Sequence, residues 1–101
     1  MTAYAALAEP LRRQILDLLR DGERCVGDLV DDLSISQPSV SKHLKVLHSA
    51  SLVEVRPDGK RRWYRLQVEP LAEVADWLAP YQALWEARLD ALERHLEENP
   101  T

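Results

Sequence analysis

The stretch SQPSVSKHLKVLHSA, Ser36–Ala50, decides the fold, together with LVEVRPDGKRRWYRL at residues 52–66. The first segment predicts a capped helix. Ser36 is a suitable N-cap because its hydroxyl can accept from a free backbone N–H of the first turn. Pro38 falls within that turn, where a missing N–H costs nothing. Val40, Leu44 and Leu47 recur at i, i+4, i+7 and form a stripe facing a core. Pro38, Ser41, Lys42, Lys45 and Ser49 then fall on the opposite side. That outer face carries no acid and no bulky apolar group, which is what a helix needs to lie against phosphates in a major groove. An ordinary amphipathic surface helix more often mixes Glu and Asp into its outer residues.

The second segment changes period. Residues 52–56 and 61–66 are β-prone runs flanking Pro57-Asp58-Gly59-Lys60, and Asp-Gly is a strong hairpin signal. Lys60, Arg61 and Arg62 sit at the tip, with Arg56 and Arg65 along the strands. Long cations on a protruding hairpin suit phosphates beside a helix-filled major groove, or an adjacent minor groove. The competing reading is solubilising charge on an exposed hairpin.

Upstream, Leu11, Ile15, Leu18 and Leu19 follow helical spacing after Pro10, and Asp21-Gly22 supplies a stop. A short helix is expected over residues 2–8. Another is expected from about Val26 to Leu33, with Val26, Leu29, Val30 and Leu33 inward. Residues 34–36 then make a tight turn into the helix already described. Two short helices so joined, the second with a polar outer face, match helix-turn-helix geometry, and a hairpin directly after them is a wing.

Residues 69–98 read as helical, and the sequence leaves open whether the helix runs through or breaks at Ala79-Pro80. Leu71, Val74, Ala75 and Leu78 make one stripe; Tyr81, Leu84, Trp85, Leu89, Leu92 and Leu96 make a second. A domain this small cannot cover both. A second copy of the chain is the expected partner, with Leu78, Tyr81, Trp85, Leu89 and Leu92 in the interface. Aromatics that merely cap the core are the alternative.

Composition bounds the function. The 101 residues suggest one domain, 1–101, with a modest core and 69–98 as its dimerisation segment. No transmembrane span or signal peptide is visible, and the single cysteine fits a reducing cytoplasm. The net charge of −4 hides an uneven distribution. Residues 34–67 hold seven Lys/Arg against two acids, whereas residues 68–101 hold two Arg against eight acids. A polyanion docks by the local field, so the middle segment governs. No Gly-rich phosphate loop and no Ser/His/Asp arrangement appears, so catalysis and a cofactor are not expected.

The order of elements and the wording of LAEPLRRQILDLLRDG, CVGDLVDDLSISQPSVSKHLKVLHSASLV and RRWYRL resemble the ArsR/SmtB family of bacterial winged-helix repressors. The densest match is SQPSVSKHLKVL. The resemblance implies a homodimer joined by its first and last helices, with the two recognition helices in successive major grooves of an imperfect inverted repeat. It implies DNA contacts at Gln37, Ser39, Ser41, Lys42 and His43, and at Arg61 and Arg62 of the wing; the outward face and the hairpin tip add Lys45 and Lys60. His43, at the flank of the apolar stripe, is expected to turn to a phosphate rather than pack. His48, late in the helix, suits the C-terminal dipole.

Metal-sensing members carry two cysteines near the start of the third helix, where this chain has Cys25 and then Gly27. The family's other site uses Asp, His and Glu on the last helix, but the spacing of Asp76 to His95 does not match it. The chain therefore resembles the subgroup without a metal site, and Cys25 reads as a small residue at a helix start. The expectation is a cytoplasmic, dimeric repressor of double-stranded DNA that needs no metal or cofactor and has no membrane partner. Its operator and any small-molecule effector are not legible. The alternatives are a winged-helix module for protein–protein assembly and a metal- or thiol-responsive repressor.

Overall fold

The computed structural model describes residues 2–98. Its elements in chain order are α1 (Ala3–Leu7), α2 (Pro10–Leu19), β1 (Arg24–Cys25), α3 (Val26–Leu33), α4 (Gln37–Ser49), β2 (Val53–Asp58), β3 (Arg61–Leu66) and α5 (Glu69–Glu98). The Thr2 hydroxyl caps α1 by accepting from the Ala5 N–H at 3.2 Å. The last carbonyls of α1 are bound from α2. Arg12 donates to Ala6 at 2.7 Å and Ala5 at 3.2 Å, and Arg13 donates to Leu7 at 2.6 Å. A five-residue helix is too short to hold itself in water, so these bonds fix it to its neighbour.

Helices α2, α3 and α4 converge on one core. Ile15, Leu16 and Leu19 meet Leu29, then Val40, Leu44 and Leu47, with Leu52 and Val53 closing it from the start of the wing. Leu16 takes the inward position that spacing assigned to Leu11, which is half-buried. The turn from α3 to α4 passes through Ser34 in the left-handed region (φ 55°), whose N–H returns to the Val30 carbonyl at 2.9 Å.

The end of α4 makes a second sharp turn at Ser51 (φ 60°). There Ser51 N–H donates to the His48 carbonyl and Leu52 N–H donates to the Leu47 carbonyl, both at 3.0 Å. This is a Schellman arrangement with serine where glycine is usual, and it aims the chain into β2 while Leu52 returns to the core.

The sheet is antiparallel with order β1-β3-β2. β1 is only two residues long and pairs Arg24 with Tyr64 and Cys25 with Trp63. Strand β2 runs further than expected, through Pro57 to Asp58, and Asp58 pairs with Arg61. The turn therefore shrinks to Gly59-Lys60, with Gly59 at φ 61°. Pro57 is tolerated because β2 is an edge strand, with one side free of ladder bonds.

Helix α5 is unbroken through Pro80. Only its first turns join the body: Leu71 and Val74 pack against the core. The Tyr4 hydroxyl donates to the Glu73 carbonyl at 3.1 Å, and its ring meets Trp77 edge-on at 6.1 Å. Beyond this the helix projects, and the described molecule measures 64 × 28 × 20 Å. No described helix is long and apolar enough to cross a membrane.

Candidate nucleic-acid interface

Helix α4 is positioned by burial on one side and capping at its start. Val40, Leu44 and Leu47 are buried to within 1%. The Ser36 hydroxyl accepts from the Ser39 N–H at 3.4 Å, while Pro38 occupies the first turn. This fixes the rotation of the helix about its axis. Gln37, Ser41, Lys42, Lys45 and Ser49 are left exposed.

The wing folds back beside this face, and a cleft of about 890 Å³ opens between α3, α4 and the hairpin. Helix α4 contributes Gln37, Ser41, Lys45 and His48; the wing contributes Lys60, Arg61 and Arg62. Cys25, Gly27, Asp28 and Asp31 line the α3 side, and Val26, Leu44, Val55 and Tyr64 supply apolar surface. Of the nine residues expected at DNA, the cleft gathers Gln37, Ser41, Lys45, Lys60, Arg61 and Arg62. Lys42 lies exposed on the outer face of α4, outside the cleft. Ser39 and His43 are half-buried on the opposite flank.

His43 differs most from its expected role. Its Nδ1 accepts from Arg12 Nη1 at 3.4 Å, so it joins the bonds that tie α1 to α2 rather than turning to the open face. The cleft holds His48 instead. The helix dipole is the one role its sequence position suggests, yet its spacing from Gln37 and Ser41 (i+11 and i+7) places His48 on their side.

The structure also sorts the cations of the wing. Arg56 donates to Glu23 at 2.9 Å and lies 5.9 Å from the centre of the Trp63 ring. Arg65 pairs with Glu54, which also accepts from Gln67. The hydrogen bond from Arg56 holds the Glu23 carboxyl below its usual range. These two arginines are committed within the protein, on the sheet face away from Val55 and Tyr64. Among the described residues the side chains of Lys42, Lys45, Lys60, Arg61 and Arg62 make no hydrogen bond or ion pair. On α4 and the wing they are the cationic side chains without an internal partner.

Asp28 is engaged differently. Its carboxylate accepts from the Cys25 N–H at 3.3 Å, closing the start of α3. Hydrogen bonds from Cys25, and then the charges of Arg24 and Arg61, keep it below its ordinary range. Cys25 thus stands at a helix start. Among the described residues no group of three or more His, Cys, Asp or Glu is placed to hold a metal ion.

Comparison with known proteins identifies the family. Residues 9–55 match the family model described as bacterial regulatory protein, arsR family. The HTH-type transcriptional regulator Rv2034 of Mycobacterium tuberculosis is 50% identical over 69% of this chain and 65% of its own, just under two thirds of that relative. The transcriptional repressor SdpR of Bacillus subtilis is 35% identical over 74% of this chain and 83% of its own. The crystal structure of the ArsR family transcriptional regulator RHA00566 superposes with a TM-score of 0.71 at 34% identity, covering 82% of this chain and 86% of that one. A helix-turn-helix ending in a Schellman turn, a basic wing and a projecting last helix occur here in a chain that belongs to the arsR family of bacterial regulatory proteins.

Proposed function

We propose that this protein is a cytoplasmic transcriptional repressor that binds an inverted-repeat operator as a homodimer and blocks a promoter by occupancy. The observation that carries the reading is the set of five unpartnered cations on α4 and the wing tip, in a chain whose net charge is −4. Phosphate attraction supplies the sequence-independent part of duplex binding, and only side chains free of internal partners contribute to it fully. Gln37 and Ser41 share the cleft with those cations and carry the amide and hydroxyl suited to base edges. The name of the Bacillus subtilis relative supports repression rather than activation.

The dimer rests on α5. Leu78, Tyr81, Trp85, Leu89 and Leu92 expose between 36% and 65% of their surface along one projecting helix. A stripe of that length in water is an interface without its partner. A two-fold pair presents two α4 helices, and an inverted repeat mirrors that symmetry. The reading includes no catalysis, cofactor or controlling metal. Selection of bound sequences from a random duplex pool tests it. The expected result is enrichment of one inverted repeat with half-sites about one helical turn apart. Retention of no duplex at low salt would favour the assembly module, in which the basic wing docks a protein.

A further inference from the structure

We propose that Asp31 determines specificity by exclusion: its carboxylate, in the same cleft as the duplex-binding cations, penalises docking poses that bring a DNA backbone against α3. The proposal rests on the duplex-binding reading above. Asp31 is exposed and lines the cleft from α3, and its carboxylate makes no hydrogen bond or ion pair among the described residues. Asp28, one turn earlier, also lines it but is occupied with the N–H of Cys25. Lys45, Lys60 and Arg61 come from α4 and the wing. The cleft is therefore polarised, with cations on two elements and a free carboxylate on the third.

That polarity matters because the two kinds of complex differ in freedom. An operator complex is held in one pose by base contacts. Non-operator binding is electrostatic and samples many poses. A backbone phosphate fits against the cationic elements without cost, whereas poses that tip the duplex towards α3 bring phosphate to carboxylate. An unpaired like charge of this kind raises the energy of wrong complexes more than that of the right one. At ~7 Å in water-like surroundings, a single repulsion of this type weakens the pose that carries it by about threefold, and by about sevenfold where both copies in a dimer carry it.

The test compares Asp31→Asn with Asp32→Asn, which changes net charge equally one residue away but does not line the cleft. Both positions are exposed, and matching thermal melts establish that each variant folds. Fluorescence anisotropy with the selected operator and a scrambled duplex is the readout. For Asp31→Asn the scrambled duplex should bind more tightly, by more than about twofold and up to about sevenfold, while operator affinity moves less than about twofold; Asp32→Asn should change neither beyond about twofold. Equal gains on both duplexes, or equal behaviour of the two variants, would reduce Asp31 to a contributor of net charge and overturn the proposal alone. Weaker operator binding with one base preference lost would show Asp31 reading a base, which also overturns exclusion. A wild type that holds no duplex overturns the underlying reading as well.

Discussion

Replacing Trp85 with alanine should separate the proposed dimer, and the size of the effect follows from its exposure. Trp85 leaves 65% of its surface in water. For a side chain of about 250 Å², that is about 160 Å² available for burial. A partner helix that covers half of it hides about 80 Å², and at about 25 cal/mol per Å² this contributes about 2 kcal/mol per protomer. Both copies change together in a two-fold dimer, so Trp85→Ala should cost about 4 kcal/mol and raise the dimer Kd roughly a thousandfold. Sedimentation velocity from nanomolar to tens of micromolar reads this directly. Leu89→Asp places a charge in the same stripe and should act in the same direction. Neither residue lines the α4–wing cleft, so operator affinity should fall only where the dimer dissociates. A Kd within tenfold of wild type, or a wild type that stays monomeric at tens of micromolar, would refute the assignment of α5 as the interface.

Three further outcomes are expected. Gln37→Ala should erode the ratio of operator to scrambled-duplex affinity by about 1–3 kcal/mol if its contact is bidentate, and equal losses on both would remove it from the base-reading set. Ser51→Gly should stabilise the fold by about 1 kcal/mol in urea denaturation, because glycine holds the left-handed turn after α4 without steric cost; a destabilised variant would mean the Ser51 side chain matters more than its backbone. Glu23 and Asp28 both titrate below their ordinary values of 4.5 and 3.8, so the stabilisation they give is complete above those values and is lost as the pH falls through the lowered ones. Glu23→Gln should therefore make stability less steep in acid, and an unchanged acid limb would show that its bond to Arg56 is not maintained in solution.

Much of the architecture was legible because it rests on local rules. The Ser36 cap, the proline after it and the Val40/Leu44/Leu47 stripe are sequence signals that the structure realises in α4. The Asp-Gly pair locates the hairpin, although Pro57 reads as turn in the sequence because a proline in a ladder is sustainable only on an edge that sequence does not reveal. β1 was missed for a similar reason, since two residues carry no alternation and pair only because β3 lies alongside. Pro80 was an open question because propensity prices one lost bond, whereas the continuous helix shows that the bonds on either side tolerate the loss. At the site, residue type found the cations but not their partners. Glu23, more than thirty positions from Arg56 in sequence, removes that arginine from the free set, and Arg12 engages the His43 ring on the flank where spacing already placed it. Both pairings are tertiary and have no spacing signature.

The most direct test of duplex binding through the α4–wing surface is the salt dependence of affinity for the selected operator. For wild type, log K should fall linearly with log salt at a slope of about −0.9 per phosphate neutralised, and several phosphates should be involved. Arg61→Ala with Arg62→Ala should weaken operator and scrambled duplex together and flatten the slope by about two per protomer, with no change in the bases preferred. A slope that stays unchanged in the double variant, or wild-type binding indifferent to salt, would contradict the account.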